Sequence, residues 1–305
     1  MFFACNNEAT RLRRKPKAYR MLVNLKNILC VDVEEWYHPE YVKTKAPKNK
    51  EERANQGLNK TLQLLREHNV DATFFIVGEL AEKHPEMMEK IMENGHEIAF
   101  HGYYHDPLWA SSPDVFRHEV ATFDLIVRSA TGEKCLGFRA PSYSIDNRTM
   151  WALDILEEAG YLYDSSVFPM KTQLYGVSSA PIYPYHPSSE NVAKQDKSRK
   201  LIEFPALVYP LMDLRIPTAG GFYLRFLPLF IVRKAVENMN KRGFPAVLSF
   251  HTWEVDFDTP RLKLGIIKSF VTYYNLNATE KKLKHLLSNF QFNGFRQYIE
   301  KHGPM

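Results

Sequence analysis

Three short clusters along this chain hold acids and histidines at spacings that suit chemistry: Asp32-Val33-Glu34-Glu35, His101-Gly102-Tyr103-Tyr104-His105, and Phe250-His251. Two imidazoles four positions apart can be aimed at one ion from a helical turn or a tight loop, and one carboxylate completes a three-ligand set with an open position. The open position admits water and a substrate oxygen, so the chemistry indicated is metal-assisted hydrolysis. Along Ile28–Glu34 side chains of an extended strand alternate, which puts Asp32 and Glu34 on one face, as ligand and base, and Glu35 on the other. Acids after a strand also cap helices, but Trp36-Tyr37-His38-Pro39 does not read as a helix start. His251 ends the apolar run Ala246–Phe250, and the C-terminal end of a buried strand is where α/β proteins present reactive groups.

These residues need strands to carry them. Asn27–Val33, Ala72–Val77, Glu97–His101, Leu136–Arg139, Leu162–Asp164, Leu201–Phe204 and Ala246–His251 read as strands. Between them Glu51–His68, Glu79–Glu93, Pro113–Ser129 and Arg148–Ala159 carry apolar residues at helical intervals, with Gly95 and Gly160 placed as helix stops. Such alternation specifies an α/β fold on a parallel sheet. Lys171–Arg199, rich in Pro, Ser, Tyr and charge, reads as a long loop or insertion over the site. Thr279–Phe290 reads as a terminal helix with Leu283, Leu286 and Leu287 inward. The organisation expected is a basic tail over 1–26, one domain over 27–290, and a C-terminal tail over 291–305.

Composition sets the limits. With 305 residues, 45% hydrophobic and 25% charged, the chain can bury a large core, and nothing argues for disorder. The net charge of +5 favours anionic partners only weakly, and much of it sits in Arg11, Arg13, Arg14, Lys15, Lys17 and Arg20, read as a solvated tail; Met21 is an alternative start. The stretch after Met21 is too short and polar for a secretion signal. Phe226–Val232 is well short of the ~20 residues of a membrane span. A cytoplasmic protein is therefore expected, with peripheral membrane contact left open and no nucleic-acid partner. Three cysteines, Cys5, Cys30 and Cys135, have no paired spacing, which argues against disulfide scaffolds and zinc ribbons.

Further segments fall in the same order: Ala72-Thr73-Phe74-Phe75, Gly95-His96-Glu97-Ile98-Ala99, Gly137-Phe138-Arg139-Ala140-Pro141-Ser142, Tyr163-Asp164-Ser165-Ser166, Ala219-Gly220-Gly221 and Phe250-His251-Thr252-Trp253-Glu254. With the acid and histidine clusters, they make the chain resemble the polysaccharide deacetylase family, the NodB-type family 4 carbohydrate esterases, from about residue 27 to 290. The likeness is greatest to the branch associated with exopolysaccharide biosynthesis, with its C-terminal extension. The resemblance implies a deformed (β/α)7-type barrel that removes acetyl groups from N-acetylated sugars using a divalent metal, usually zinc. It implies Asp32 as base, Arg139 orienting it, His101 and His105 as ligands, His251 as acid and Asp164 as that histidine's partner. The family's usual second aspartate is replaced here by Val33-Glu34-Glu35, and strand alternation favours Glu34 as third ligand. Ser142 is implied as a backbone oxyanion donor, while Tyr143 and Trp253, with Trp36, Tyr37 and Tyr103, could stack on sugar.

Other functions fit less well. An amidase on a small cyclic, allantoinase-like substrate or on a lipid-linked sugar keeps the fold and changes the substrate. A two-histidine, one-carboxylate iron oxygenase would use the same triad, but helix–strand alternation argues against its all-β scaffold. A sugar-binding pseudoenzyme has no use for Asp32, Arg139 and His251 together. No Gly-rich phosphate loop follows the first strand, which disfavours a nucleotide-binding enzyme.

Overall fold

A computed structural model of the protein describes residues 25–172 and 174–303. Eight strands run parallel among the described residues: β1 Asn27–Val33, β2 Thr73–Ile76, β3 Glu97–Phe100, β4 Gly137–Phe138, β5 Tyr163–Asp164, β6 Ile202–Glu203, Val247–His251 beside β1, and the short Phe292–Asn293 at the start of β1. Two strands precede the last one in sequence, β7 Val208–Leu211 and β8 Leu214–Pro217, which form a separate antiparallel hairpin. Val247–His251 is therefore β9, and the sheet order β9-β1-β2-β3-β4-β5-β6 curls into an open barrel. Every residue of β1 is buried, as parallel strands covered on both faces require. Its alternation is visible in the packing: Leu29, Val31 and Val33 join the core under the helices, whereas Ile28 and Cys30 join an interior cluster with Phe75, Ala99, Tyr163 and Phe204.

Helix boundaries follow local chemistry. In Pro113–Thr131, Ser112 accepts from the Val115 N–H at the start and Gly132 closes the end at φ +72°. Gly95 and Gly160 lie just past two other helices at φ +80° and +79°, where glycine avoids the Cβ clash of the left-handed region.

Two segments differ from expectation. Residues 291–305 are not a tail over their described part: Phe292–Asn293 forms β10 against the first residues of β1, and the helix Phe295–His302 closes the barrel floor. There Phe295 donates its N–H to Thr73 Oγ1 and Arg296 its N–H to Glu97 Oε2, while Phe295 stacks on Tyr163. Lys171–Arg199 is irregular as expected, but only its start reaches the site; farther on, Arg199 pairs with Asp154 and Glu157 on the side of the barrel. The N-terminal basic segment lies outside the described residues, apart from positions 25 and 26. Among the described residues no helix is long and apolar enough to cross a membrane.

Candidate active site

The C-terminal ends of the strands open into one cavity of about 370 Å³, lined by Asp32, Glu34, His101, His105, Arg139 and His251 among others. Parallel register brings them there: Asp32 lies opposite His251 across β1 and β9, and His101 follows β3 directly. Glu34, one residue past β1, keeps the alternation and faces the same side as Asp32.

One donor atom from each of Glu34, His101 and His105 lies within 4.8 Å of the others, and all three residues are buried. Burial holds the His101 imidazole down at about 4, so the ring is neutral. Its Nδ1 sits 2.8 Å from the Arg139 carbonyl, which can only accept, so Nδ1 carries the proton and Nε2 keeps a free lone pair. Glu34 Oε1 accepts from the Trp253 indole at 2.8 Å, while the buried Oε2 takes part in no hydrogen bond even though His105 Nε2 is only 2.6 Å away. These converging atoms leave a point between Glu34, His101 and His105 that a cation can occupy. Burial opposes the Glu34 charge, but His105 and His251 outweigh it and hold the carboxyl well below the usual range. His105 occupies a left-handed backbone conformation at φ +54°, and its ring stacks on the buried His38 at 5.4 Å. These residues fit a divalent metal: a buried carboxylate and two buried imidazoles with converging donor atoms form a three-ligand set.

Glu35 has a different task. Its carboxylate accepts from the backbone N–H groups of Arg53 and Ala54 at 2.9 Å, satisfying the start of the helix Ala54–His68. The capping role set aside for Asp32 and Glu34 thus belongs to their neighbour. Glu35→Gln should keep the metal and lose about 1–3 kcal/mol of stability, because a buried N–H loses its charged acceptor. Urea denaturation and metal analysis of one preparation check both; loss of metal with unchanged stability would exchange the roles of Glu34 and Glu35.

The acid–base groups stand together beside Glu34. Arg139 Nη1 donates to Asp32 Oδ1 at 2.8 Å, and the guanidinium is fixed by Ser165, whose carbonyl accepts from Nε at 3.0 Å and whose hydroxyl accepts from Nη2 at 2.9 Å. His251 Nε2 stands 3.8 Å from Asp32 Oδ2 and 3.7 Å from Glu34 Oε1. Its Nδ1 pairs at 3.0 Å with Glu254, which Arg225 holds in turn at 2.8 Å. Burial alone would lower the His251 pKa, but Glu34, Glu254 and Asp32 together push it up to about 9. Asp164 is not at this ring. It is buried against Ser166 and Glu203, and burial drives both carboxyls upward, Asp164 to about 6. Ser166 links this pair to the Ala140 N–H, so Asp164 lies beneath the Arg139 loop rather than behind the histidine.

Ser142 and Tyr143 line the cavity with left-handed backbones at φ +55° and +47°, a strained turn of the kind found at functional sites. The Ser142 N–H donates no hydrogen bond among the described residues, whereas the Tyr143 N–H is committed to Ala140. Trp253 packs on His251 and holds Glu34, so little of its ring faces the cavity. Trp36, Tyr37 and Tyr103 do not line the cavity; Tyr41, Phe168, Tyr175 and Tyr223 do.

Sequence reasoning missed Glu254 and Arg225, although Ala219-Gly220-Gly221 carried a signal. A Cβ on Gly221 would lie 2.0 Å from Glu254 Oε1, so only glycine lets the carboxylate sit behind His251. Gly221→Ala should displace Glu254 and mimic Glu254→Gln: both leave metal bound and shift the His251 titration to lower pH, since a raising charge is moved or lost. An NMR titration of the metal-free protein reads the shift, and an unmoved pKa in Glu254→Gln would discard Glu254 as the partner.

Comparison with known proteins covers the same ground. Residues 49–163 match the polysaccharide deacetylase family, and residues 165–300 match a domain of unknown function, DUF3473. A peptidoglycan deacetylase-like protein, FGM2, of Gibberella zeae is 30% identical over 202 residues, 62% of this chain and 56% of that protein. A peptidoglycan-N-acetylglucosamine deacetylase of Bacillus cereus is 35% identical over 96 residues, 31% of this chain and 35% of that protein. The chain thus spans about half or less of the length of these relatives. The crystal structure of a Mycobacterium smegmatis protein assigned as a polysaccharide deacetylase superposes with a TM-score of 0.55 at 19% identity, covering 91% of each chain, so the curled parallel sheet is that deformed barrel. Residues 49–163 therefore carry a polysaccharide deacetylase domain, and the DUF3473 domain follows it.

Proposed function

We propose that this protein is a metal-dependent deacetylase that hydrolyses the N-acetyl group of an N-acetylated saccharide in exopolysaccharide or cell-envelope glycan synthesis. The observation that carries the reading is that the converging donors of Glu34, His101 and His105 share one cavity with Asp32 and His251, which lie 3.8 Å apart beside Glu34. An amide resists hydrolysis because water is a poor nucleophile and an amine a poor leaving group, so the site needs both a base and an acid.

Glu34, His101 and His105 would hold the metal, most suitably zinc, which supplies Lewis acidity toward the acetyl carbonyl and toward water. Asp32, steadied by Arg139, removes a proton from the attacking water as its oxygen bonds to the carbonyl carbon. The Ser142 N–H faces the resulting oxyanion as a donor not consumed elsewhere. His251, kept protonated by the surrounding carboxylates, delivers its proton to the sugar nitrogen as the C–N bond breaks. The products are acetate and a free amino sugar. Tyr143 and the aromatic wall give a sugar ring apolar faces on which to stack.

Incubation with N-acetylated chitooligosaccharides should release acetate and free amine in equal amounts, stop on chelation and resume on adding zinc. Acetate release that ignores the chelator would sink the metal-dependent reading.

A further inference from the structure

We infer that the face around the helix Ile266–Tyr273 is a docking surface for an anionic lipid bilayer. Ile266 and Ile267 are 92% and 78% exposed, and Phe270, on the next turn, is 43% exposed. Phe270 continues into an aromatic cluster on the neighbouring helix Gly221–Phe226: Phe222 stacks on Phe226 at 5.3 Å, Phe226 meets Phe270 at 6.1 Å, and Tyr274 lies 4.7 Å from Phe270. Phe226 and Phe230 add rings that are 48% and 59% exposed. Single exposed apolar residues are ordinary; a contiguous group of this kind marks an interaction face.

Charge selects the partner. Arg261, Lys263 and Lys268 are exposed around this face, and none forms an ion pair with an acid among the described residues. Lys268 stands over the Tyr41 ring instead, at 5.4 Å. Apolar side chains that enter the acyl boundary, ringed by cations that meet headgroup phosphates, are the pattern of a protein that lies on a membrane without crossing it.

The position of the patch gives it a use. Phe222 belongs to the aromatic cluster and also lines the cavity, as does Val271 on the helix itself. Docked through this face, the cavity opens toward the headgroup layer.

Co-sedimentation of the full chain with phosphatidylcholine vesicles, with and without phosphatidylglycerol, tests this without reference to catalysis. Binding is expected only with phosphatidylglycerol and should weaken as salt rises. Ile266→Asp with Ile267→Asp, and separately Lys263→Gln with Lys268→Gln, should each reduce binding on the order of tenfold. Thermal melting should match the wild type, because the altered side chains are exposed. Three results would overturn the proposal: no binding to either vesicle, equal binding by the variants, or a wild-type dimer in sedimentation velocity that the isoleucine variant makes monomeric. The last would assign the patch to a second copy of the chain.

Discussion

Changing His101 or His105 to alanine should abolish both metal content and acetate release, whereas the wild type is expected to carry about one divalent ion per chain. The effect is large because the triad has no spare member. Glu34, His101 and His105 are the one group of three acid, histidine or cysteine side chains with converging donors among the described residues. Losing either imidazole leaves two ligands, and the remaining buried carboxylate faces an uncompensated gap. Glu34→Gln should do the same, since an amide oxygen is a weaker donor to zinc than a carboxylate. Elemental analysis after extensive dialysis checks all three variants, with circular dichroism to confirm the fold. Full metal in His101→Ala would remove that histidine from the ligand set.

The second large effect belongs to the proton carriers and has a different signature. Asp32→Asn and His251→Ala should keep the metal and the barrel yet lower kcat by roughly 10²–10⁴-fold, the usual cost of losing a general base or acid. His251 must be protonated to serve the leaving amine, so activity falls as pH rises through its pKa. That value is about 9 without metal. A dication beside Glu34 offsets part of the carboxylate field that raises it, so the basic limb of the loaded enzyme lies below that value. His251→Ala should lose this limb and keep the acidic one. A basic limb that survives in His251→Ala assigns protonation of the amine to another group.

How much of this was legible in the sequence depended on whether the signal was local. The sheet strands showed as apolar runs because parallel strands are buried on both faces, and β1 coincides with Asn27–Val33. Alternation separated Glu34 from Glu35 because it is a property of the backbone alone. Glu254 was hidden for the opposite reason: its role depends on the turn Thr252–Glu254 folding the carboxylate back onto His251, and on Arg225 arriving from a separate helix. Asp164, adjacent to site motifs in sequence, points instead into the pair with Glu203, a contact made across two strands. The floor formed by 292–302 left little trace, since a two-residue strand has no periodicity and the helix after it buries only Phe295 and Tyr298. Phe168, Tyr175 and Tyr223 likewise line the cavity from irregular or short segments where an aromatic residue alone signals nothing.

The claim on which the account rests is that side chains following β1 and β3, the strands on either side of β2, bind one metal ion facing Asp32 and His251. Anomalous diffraction at the zinc edge from a zinc-loaded crystal tests it most directly. The account predicts one strong peak bonded to Glu34, His101 and His105, with Glu35 still on the helix start at Arg53 and Ala54. A peak ligated by Glu35, or no peak within reach of the two histidines in a crystal whose zinc content is otherwise established, would contradict it.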